Sequence, residues 1–198
     1  MPRRRNTLAK RVNRLEKVSR PETKHKAISN GGFDTVGSLN GTLVQPQKLA
    51  QGTTRDGRIG DKVKSRNIRF QALMKMPANP SNSTCAVRIL VLRSKLTFPD
   101  SSDMPNWWDS VDEDKFFVVK DIMTQVSAVQ ARTVSGTSFE TGSTIKKVKF
   151  NIPTGLRKLQ YDGPADSSPL NNEYVIYMLA ENQSAEVAYN FQHYYIDN

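Results

Sequence analysis

Between Val63 and Met76, apolar Ile68, Phe70, Ala72, Met74 and Met76 fall at every second position, with Arg69, Gln71 and Lys75 between them. That period of two predicts a strand with one buried face. "TCAVRILVLRSKL" (84–96) is almost continuously apolar and predicts a strand covered on both faces. "KFFVVKDIMTQVSAV" (115–129) predicts a long strand with Phe116, Val118, Ile122 and Val126 in phase. In "TIKKVKFNIP" (144–153), Val148, Phe150 and Ile152 alternate with Lys147, Lys149 and Asn151, and "LRKLQY" behind it is shorter and weaker. "NEYVIYMLAE" (172–181) and "EVAYNFQHYYID" (186–197) complete the series, the last with Val187, Tyr189, Phe191 and Tyr195 on one face and "NQSA" before it as a hairpin loop.

Helical signals are few. The best is "DMPNWWDSV" (103–111), where Asp103 can cap and Pro105 can occupy the first turn. Residues 27–61 are rich in Gly, Ser, Thr and Asn and predict a loop-rich connector with one short strand. Seven or eight strands without regularly interposed helices require antiparallel pairing. At this size the expected fold is all-β, a two-sheet antiparallel sandwich of jelly-roll type over 62–198.

Charge divides the chain differently. The protein has 198 residues and a net charge of +10. Residues 1–26, "MPRRRNTLAKRVNRLEKVSRPETKHK", hold ten Lys and Arg against two Glu, a net +8, which leaves +2 for the other 172 residues. A nearly neutral body with a cationic N-terminal arm points to a polyanionic partner, because clustered cations displace counterions condensed on phosphates. Leu8, Val12 and Leu15 fall on one helical face of the arm, with Pro21 as a stop, so the arm is expected to be partly helical or disordered. The expected contacts with nucleic acid are Arg3, Arg4, Arg5, Lys10, Arg11, Arg14, Lys17, Arg20, Lys24 and Lys26.

Catalytic signals are absent. The two histidines, His25 and His193, have no evident catalytic neighbourhood, and no phosphate-cradling glycine loop, nucleophile elbow or Cys/His zinc spacing occurs. "DSVDEDK" (109–115) clusters carboxylates, but in one hydrophilic loop where solvated charge is the simpler reading. Cys85 lies in an apolar run and reads as a buried, inert thiol. No apolar stretch approaches the length of a membrane span, and no secretory signal follows the basic start. The expectation is a non-enzymatic protein that requires no cofactor and has no membrane partner.

Four segments carry a resemblance, in collinear order. "QGTTRDGRIGDKVKSRNIRFQALMK" (51–75), with its "QG" start and "R-x-GD-x-V" motif, is similar to the lead into the first jelly-roll strand of the satellite tobacco necrosis virus coat protein group. Similar "R-x-GD" segments occur in capsids of small circular single-stranded DNA viruses. "FFVVKDIMTQVS" (116–127), "GSTIKKVKFNIPTGLRKLQYDG" (142–163) and the terminal "YVIYMLAENQSAEVAYNFQHYYIDN" (174–198) resemble later segments of the same group. No single motif is highly specific; their order makes the match.

The resemblance implies an eight-stranded antiparallel jelly-roll subunit that self-assembles, as sixty copies, into a small icosahedral virion shell. The arm would point inward onto a single-stranded genome, RNA or DNA. Sixty arms of +8 would bring about 480 positive charges to the packaged phosphates. Lys64, Arg93 and Lys115 fall at or beside the group's genome-facing positions, although one nearby lysine of the group falls on Asp114. Interface calcium, to which Glu22 and Asp197 could contribute, is left without an assigned ligand set, because Ile59 and Lys62 stand where the group has oxygen ligands. The arm also passes as a nuclear import signal, so the host nucleus before assembly is a second expected location. Two other readings stay open: a cellular nucleic-acid-binding β-domain with a basic tail, for which "YNFQHYY" is the one candidate surface, and a carbohydrate-binding or glycosidase sandwich.

Overall fold

The computed structural model describes residues 23–39, 41–77, 82–128, 144–182 and 185–197. Of these 59% are strand and 2% helix, which makes the chain all-β. The strands are β1 (Thr23–Ser29), β2 (Asp34–Val36), β3 (Thr42–Val44), β4 (Lys62–Lys75), β5 (Thr84–Ser94), β6 (Phe116–Ser127), β7 (Lys146–Gln160), β8 (Tyr174–Ala180) and β9 (Ala185–Asp197). Two antiparallel sheets result. The first has the order β1-β9-β4-β7, with β2 continuing beside β9; the second has the order β3-β8-β5-β6. Pairing is nested: β1 and β2 with β9, β3 with β8, β4 with β7, β5 with β6.

The alternation in 63–76 is realised in β4, whose inward Ile68, Phe70, Ala72 and Met74 are buried. They meet Cys85, Val87, Ile89 and Val91 of β5, Ile176 and Met178 of β8 and Phe191 of β9 in one core between the sheets. The near-continuous apolar runs of β5 and β8 have a second use. Their other faces, Leu90, Leu92, Val175, Tyr177 and Leu179, pack under Met104 and Trp107 from the segment between β5 and β6. Among the described residues, the second sheet is therefore covered on both sides at β5 and β8, and the first only on one.

Several expectations change. The stretch read as a connector with one short strand holds β2, β3 and the end of β1, so β4 is preceded by edge strands and is not the first of the body. β1 also takes in Lys24 and Lys26, which the charge count had placed on the arm. β8 and β9 do not form a hairpin, because they belong to different sheets. Burial at every position of β8 is the reason: a strand covered on both faces cannot share the half-exposed sheet of β9. Residues 103–111 are not a helix beyond the end of a single 3-10 turn, Ser101–Asp103, capped by Asp100. In β6 a bulge beside Val91/Leu92 breaks the phase, so that Phe116 and Val118 lie on the outward side while Ile122 and Val126 face the main core. The weak "LRKLQ" stretch continues β7 after an irregularity that contains Gly155 and Leu156, both at positive φ (64° and 56°).

Candidate nucleic-acid interface

Among the described residues, the uncovered face of the first sheet is built by alternate positions of its strands. On β4 these are Lys64, Asn67, Arg69, Gln71 and Lys75; on β7, Lys147, Lys149 and Asn151; on β9, Asn190, Gln192 and Tyr194; on β1, Thr23 and His25. Each alternates with a core residue, so the same period that builds the core sends the cations outward. Lys75 pairs with Glu186 at 3.2 Å. Among the described residues, Lys64, Arg66, Arg69, Lys147 and Lys149 form no ion pair with a carboxylate.

At one end of this face lies a cleft of about 410 Å³ lined by Thr23, His25, Arg55, Arg66, Asn67, Arg69 and Tyr194. Its floor is a stack across three adjacent strands. His25 of β1 lies against Tyr194 of β9, ring centroids 5.8 Å apart. Arg69 of β4 places its guanidinium 5.1 Å from the Tyr194 centroid and its Nη1 3.4 Å from the Tyr194 Oη. The hydroxyl in turn donates to Gln192 Oε1 at 2.9 Å. A β-bulge adds the next cation. Against β9 the register of β4 shifts between Ser65, opposite Tyr195, and Asn67, opposite Tyr194, which makes Arg66 the extra residue; against β7 the extra residues are those of β7, between Pro153 and Arg157. Ser65 stays buried while Arg66 is exposed beside Asn67, its Nη1 3.4 Å from Thr23 Oγ1. Bulges re-aim side chains in this way. Arg55 reaches the cleft from the loop before β4.

The sequence-predicted contacts are dispersed. Arg3, Arg4, Arg5, Lys10, Arg11, Arg14, Lys17 and Arg20 lie outside the described residues, as does Glu22. Lys24 and Lys26 take inward positions of β1, opposite Tyr195 and His193. Lys24 Nζ donates to Gly57 O at 3.0 Å and lies 2.8 Å from Asp197 Oδ2, an ion-pair contact without hydrogen-bond alignment. Lys26 Nζ donates to Lys48 O, and burial lowers its pKa. Both amines are engaged by the body. Lys64 lies on the open face of the first sheet, whereas Arg93 belongs to the second, its guanidinium 4.1 Å from the Phe117 ring, which Lys95 Nζ also approaches at 4.3 Å. Lys115 pairs with Asp103 at 3.2 Å. Cations at such rings gain from the ring quadrupole. His25, Arg55, Arg66, Arg69 and Tyr194 were not singled out from the sequence. Only "YNFQHYY" carried a signal for any of them, because the grouping depends on which strands become neighbours.

Behind the sheet lies a buried polar network. Gln47 Nε2 donates to Ser65 Oγ at 2.9 Å, and Ser65 Oγ is 2.8 Å from His193 Nε2. Burial drives the His193 pKa down to about 3, so the ring is neutral and shares a hydrogen bond with the serine hydroxyl whose direction is set by the ring's tautomer. A Ser–His contact is the beginning of a nucleophilic site, but both residues are 0% exposed and out of reach of any substrate. Nearby Arg58, also 0% exposed, is held by Leu49 O, Gly60 O, Asp61 Oδ1, Gly163 O and Asp166 O and stacks on Tyr161 at 4.4 Å. This arginine of the "R-x-GD" motif fastens the loop before β4 to the loop after β7. Glu173 is buried with both carboxylate oxygens lacking a partner among the described residues, and burial raises its pKa to about 8. Among the described residues, no group of three His, Cys, Asp or Glu is placed to hold a metal ion, and no helix is long and apolar enough to cross a membrane.

No protein-family model matches this chain, and no curated protein is significantly similar to it.

Proposed function

We propose that this chain is the coat subunit of a small icosahedral shell and packages a single-stranded nucleic acid genome. The observation that carries the reading is the basic face of the first sheet, whose Lys64, Arg66, Arg69, Lys147 and Lys149 form no ion pair among the described residues, and at whose edge the cationic N-terminal segment joins the body through Thr23. With Lys24 and Lys26 engaged by the body, residues 1–22 retain eight cations against two Glu, a net +6. Sixty copies bring about 360 positive charges, enough to neutralise a few hundred phosphates without reading bases.

What supports a jelly roll is the nested pairing. With β1 and β2 counted as one edge, the sandwich has eight strand positions in two sheets of four, each strand of the first half paired with its mirror in the second. What supports self-assembly is exposed apolar surface on the other side of the body: Trp108 at 77%, and Phe117, Val118, Val119 and Met123 along the edge strand β6. A shell that repeats contacts by symmetry covers such edges.

One observation favours a second reading, a cellular nucleic-acid-binding β-domain. That function asks for aromatics interleaved with cations on an open sheet face, and His25, Tyr194 and Arg69 have that arrangement. Assembly separates the two. The full-length chain, sedimented in low salt and imaged by negative stain, is expected to give uniform small shells containing nucleic acid. Monomers that bind oligonucleotides yet never assemble across salt, pH and calcium would overturn the shell reading and leave the binding domain.

A further inference from the structure

We infer that the cleft between β1, the β4 bulge and the loop before β4 binds a nucleotide unit of single-stranded nucleic acid, a base against the His25–Tyr194–Arg69 stack and a phosphate on Arg55 and Arg66. The inference deepens the packaging reading and rests on it for the identity of the polymer.

Three features distinguish this cleft from the rest of the face. The first is composition: two other clefts on the same sheet, one along Ser29–Phe33 and one along Ala27–Ser29, contain no arginine or lysine, whereas this one holds three arginines. None of the three forms an ion pair with a carboxylate among the described residues, so their charge is available to an anion. Asp56, next to Arg55, is the nearby counter-charge, its pKa lowered chiefly by a hydrogen bond with the Thr54 side chain. The second is the planar stack. A site for phosphate alone needs only cations; three flat groups layered across adjacent strands make a surface on which a base can add one more layer. Duplex keeps its bases inside the helix, so the partner is single-stranded. The third is the bulge, which turns Arg66 out beside Asn67 and Arg69. Asn67 spends its amide on Asn151 Oδ1 at 2.9 Å, which leaves recognition to the stack and the arginines and makes it tolerant of base identity.

The test compares a fluorescein-labelled dT12 with an abasic strand of equal length, both titrated into the full-length protein across a salt series. Wild type is expected to prefer dT12 by about tenfold, the worth of stacking one base. Tyr194→Leu should abolish that preference, while Tyr194→Phe retains it and thereby excludes mere loss of fold. Arg66→Ala should weaken both strands and flatten the salt slope by about one. A 4-thiothymidine strand should crosslink to peptides containing Tyr194 or His25. If wild type binds both strands equally, or Tyr194→Leu keeps the preference, the cleft assignment fails while packaging by the arm stands. If the protein binds neither strand at any salt, the cleft and the packaging reading fall together.

Discussion

The outer faces of the two sheets are opposites. The second sheet turns Leu90, Leu92, Val175, Tyr177 and Leu179 outward and roofs them with the segment between β5 and β6, where Met104 and Trp107 are buried. That roof carries Asp100, Asp103, Asp109, Asp112, Glu113 and Asp114, with only Lys95 and Lys115 as cations across 95–115. The first sheet has no roof among the described residues and turns out Lys64, Arg66, Arg69, Lys147 and Lys149. A body of net +2 is thus not neutral in the sense that matters. It is polarised across its thickness, one side cationic and the other acidic. Net charge counts the two faces against each other and hides both.

Trp107 and Tyr194 provide the largest test of that difference. Trp107 is 5% exposed and sits in the apolar roof, while Tyr194 lies on the open face. Trp107→Ala should cost about 3–5 kcal/mol by removing a buried aromatic and leaving a cavity. Tyr194→Ala should cost well under half of that while damaging nucleic-acid binding. Urea denaturation of both variants at one pH reads the stabilities. Equal losses would mean that the open face is covered in the folded protein.

A second effect comes from the buried titratable groups, one associated with each sheet. Glu173, beside β8, has a folded pKa near 8 against an ordinary value of 4.5, chiefly because burial disfavours the carboxylate. The unfolded chain releases that proton first, so stability falls as pH rises from about 4.5 to 8, by at most about 1.4 kcal/mol per unit. His193, on β9, has a folded pKa near 3 against 6.5, so stability falls as pH drops from 6.5 to 3. The two slopes oppose each other between 4.5 and 6.5, which places a stability plateau there. Chemical denaturation at stepped pH should show it. Glu173→Gln should remove the decline between 6.5 and 8 and leave the acid limb intact; a variant that still declines there would refute the assignment to Glu173.

Much of this architecture was legible in the sequence, for a reason visible in β4 and β7. Where one face is buried, core residues alternate with mostly polar ones, so Ile68-Arg69-Phe70 and Val148-Lys149-Phe150 announce both the strand and its cationic face. Partnership was not legible. β8 and β9 read as a hairpin because a short polar loop joins them, yet only their burial patterns, complete in one and alternating in the other, reveal that they separate. The edge strands β1 to β3 were lost because β2 and β3, three residues each among Gly, Ser and Asn, carry no period, and β1, "TKHKAIS", has no apolar alternation. Lys24 and Lys26 were counted as arm for the same reason: charge alone does not show that β1 turns them toward Tyr195 and His193. The cleft needed three strands in register plus a bulge, and no local pattern encodes that.

A third prediction isolates the basic face from the arm. Lys147→Gln and Lys149→Gln change exposed positions without described ion pairs, so each should alter stability by less than about 0.5 kcal/mol. Each should reduce the slope of log binding constant against log salt by up to about one if the face meets phosphate. Asp112→Asn and Asp114→Asn on the acidic roof should leave that slope unchanged. A slope that responds to the roof and not to the lysines would invert the polarity assigned to the two sides.

The smallest expected change in stability belongs to Trp108, next in sequence to the roof's anchor and 77% exposed. Its ring meets Trp107 edge-on, centroids 6.0 Å apart, and contributes little that water would not replace. Trp108→Ala should therefore shift unfolding by less than about 0.5 kcal/mol. An exposed tryptophan is costly to keep on a monomer, however, and tryptophans are the side chains most often found carrying the energy of protein contacts. If the apolar side of the body is where copies meet, the variant should fold like wild type, bind oligonucleotide like wild type and yet yield far fewer sedimenting particles. Normal particles from Trp108→Ala would move the contact to the β6 edge, where Phe117→Ser and Met123→Ser make the same test against the remaining exposed apolar surface. Particles unaffected by all three would leave this side without a role in assembly, and the contrast between the faces would then be one of charge alone.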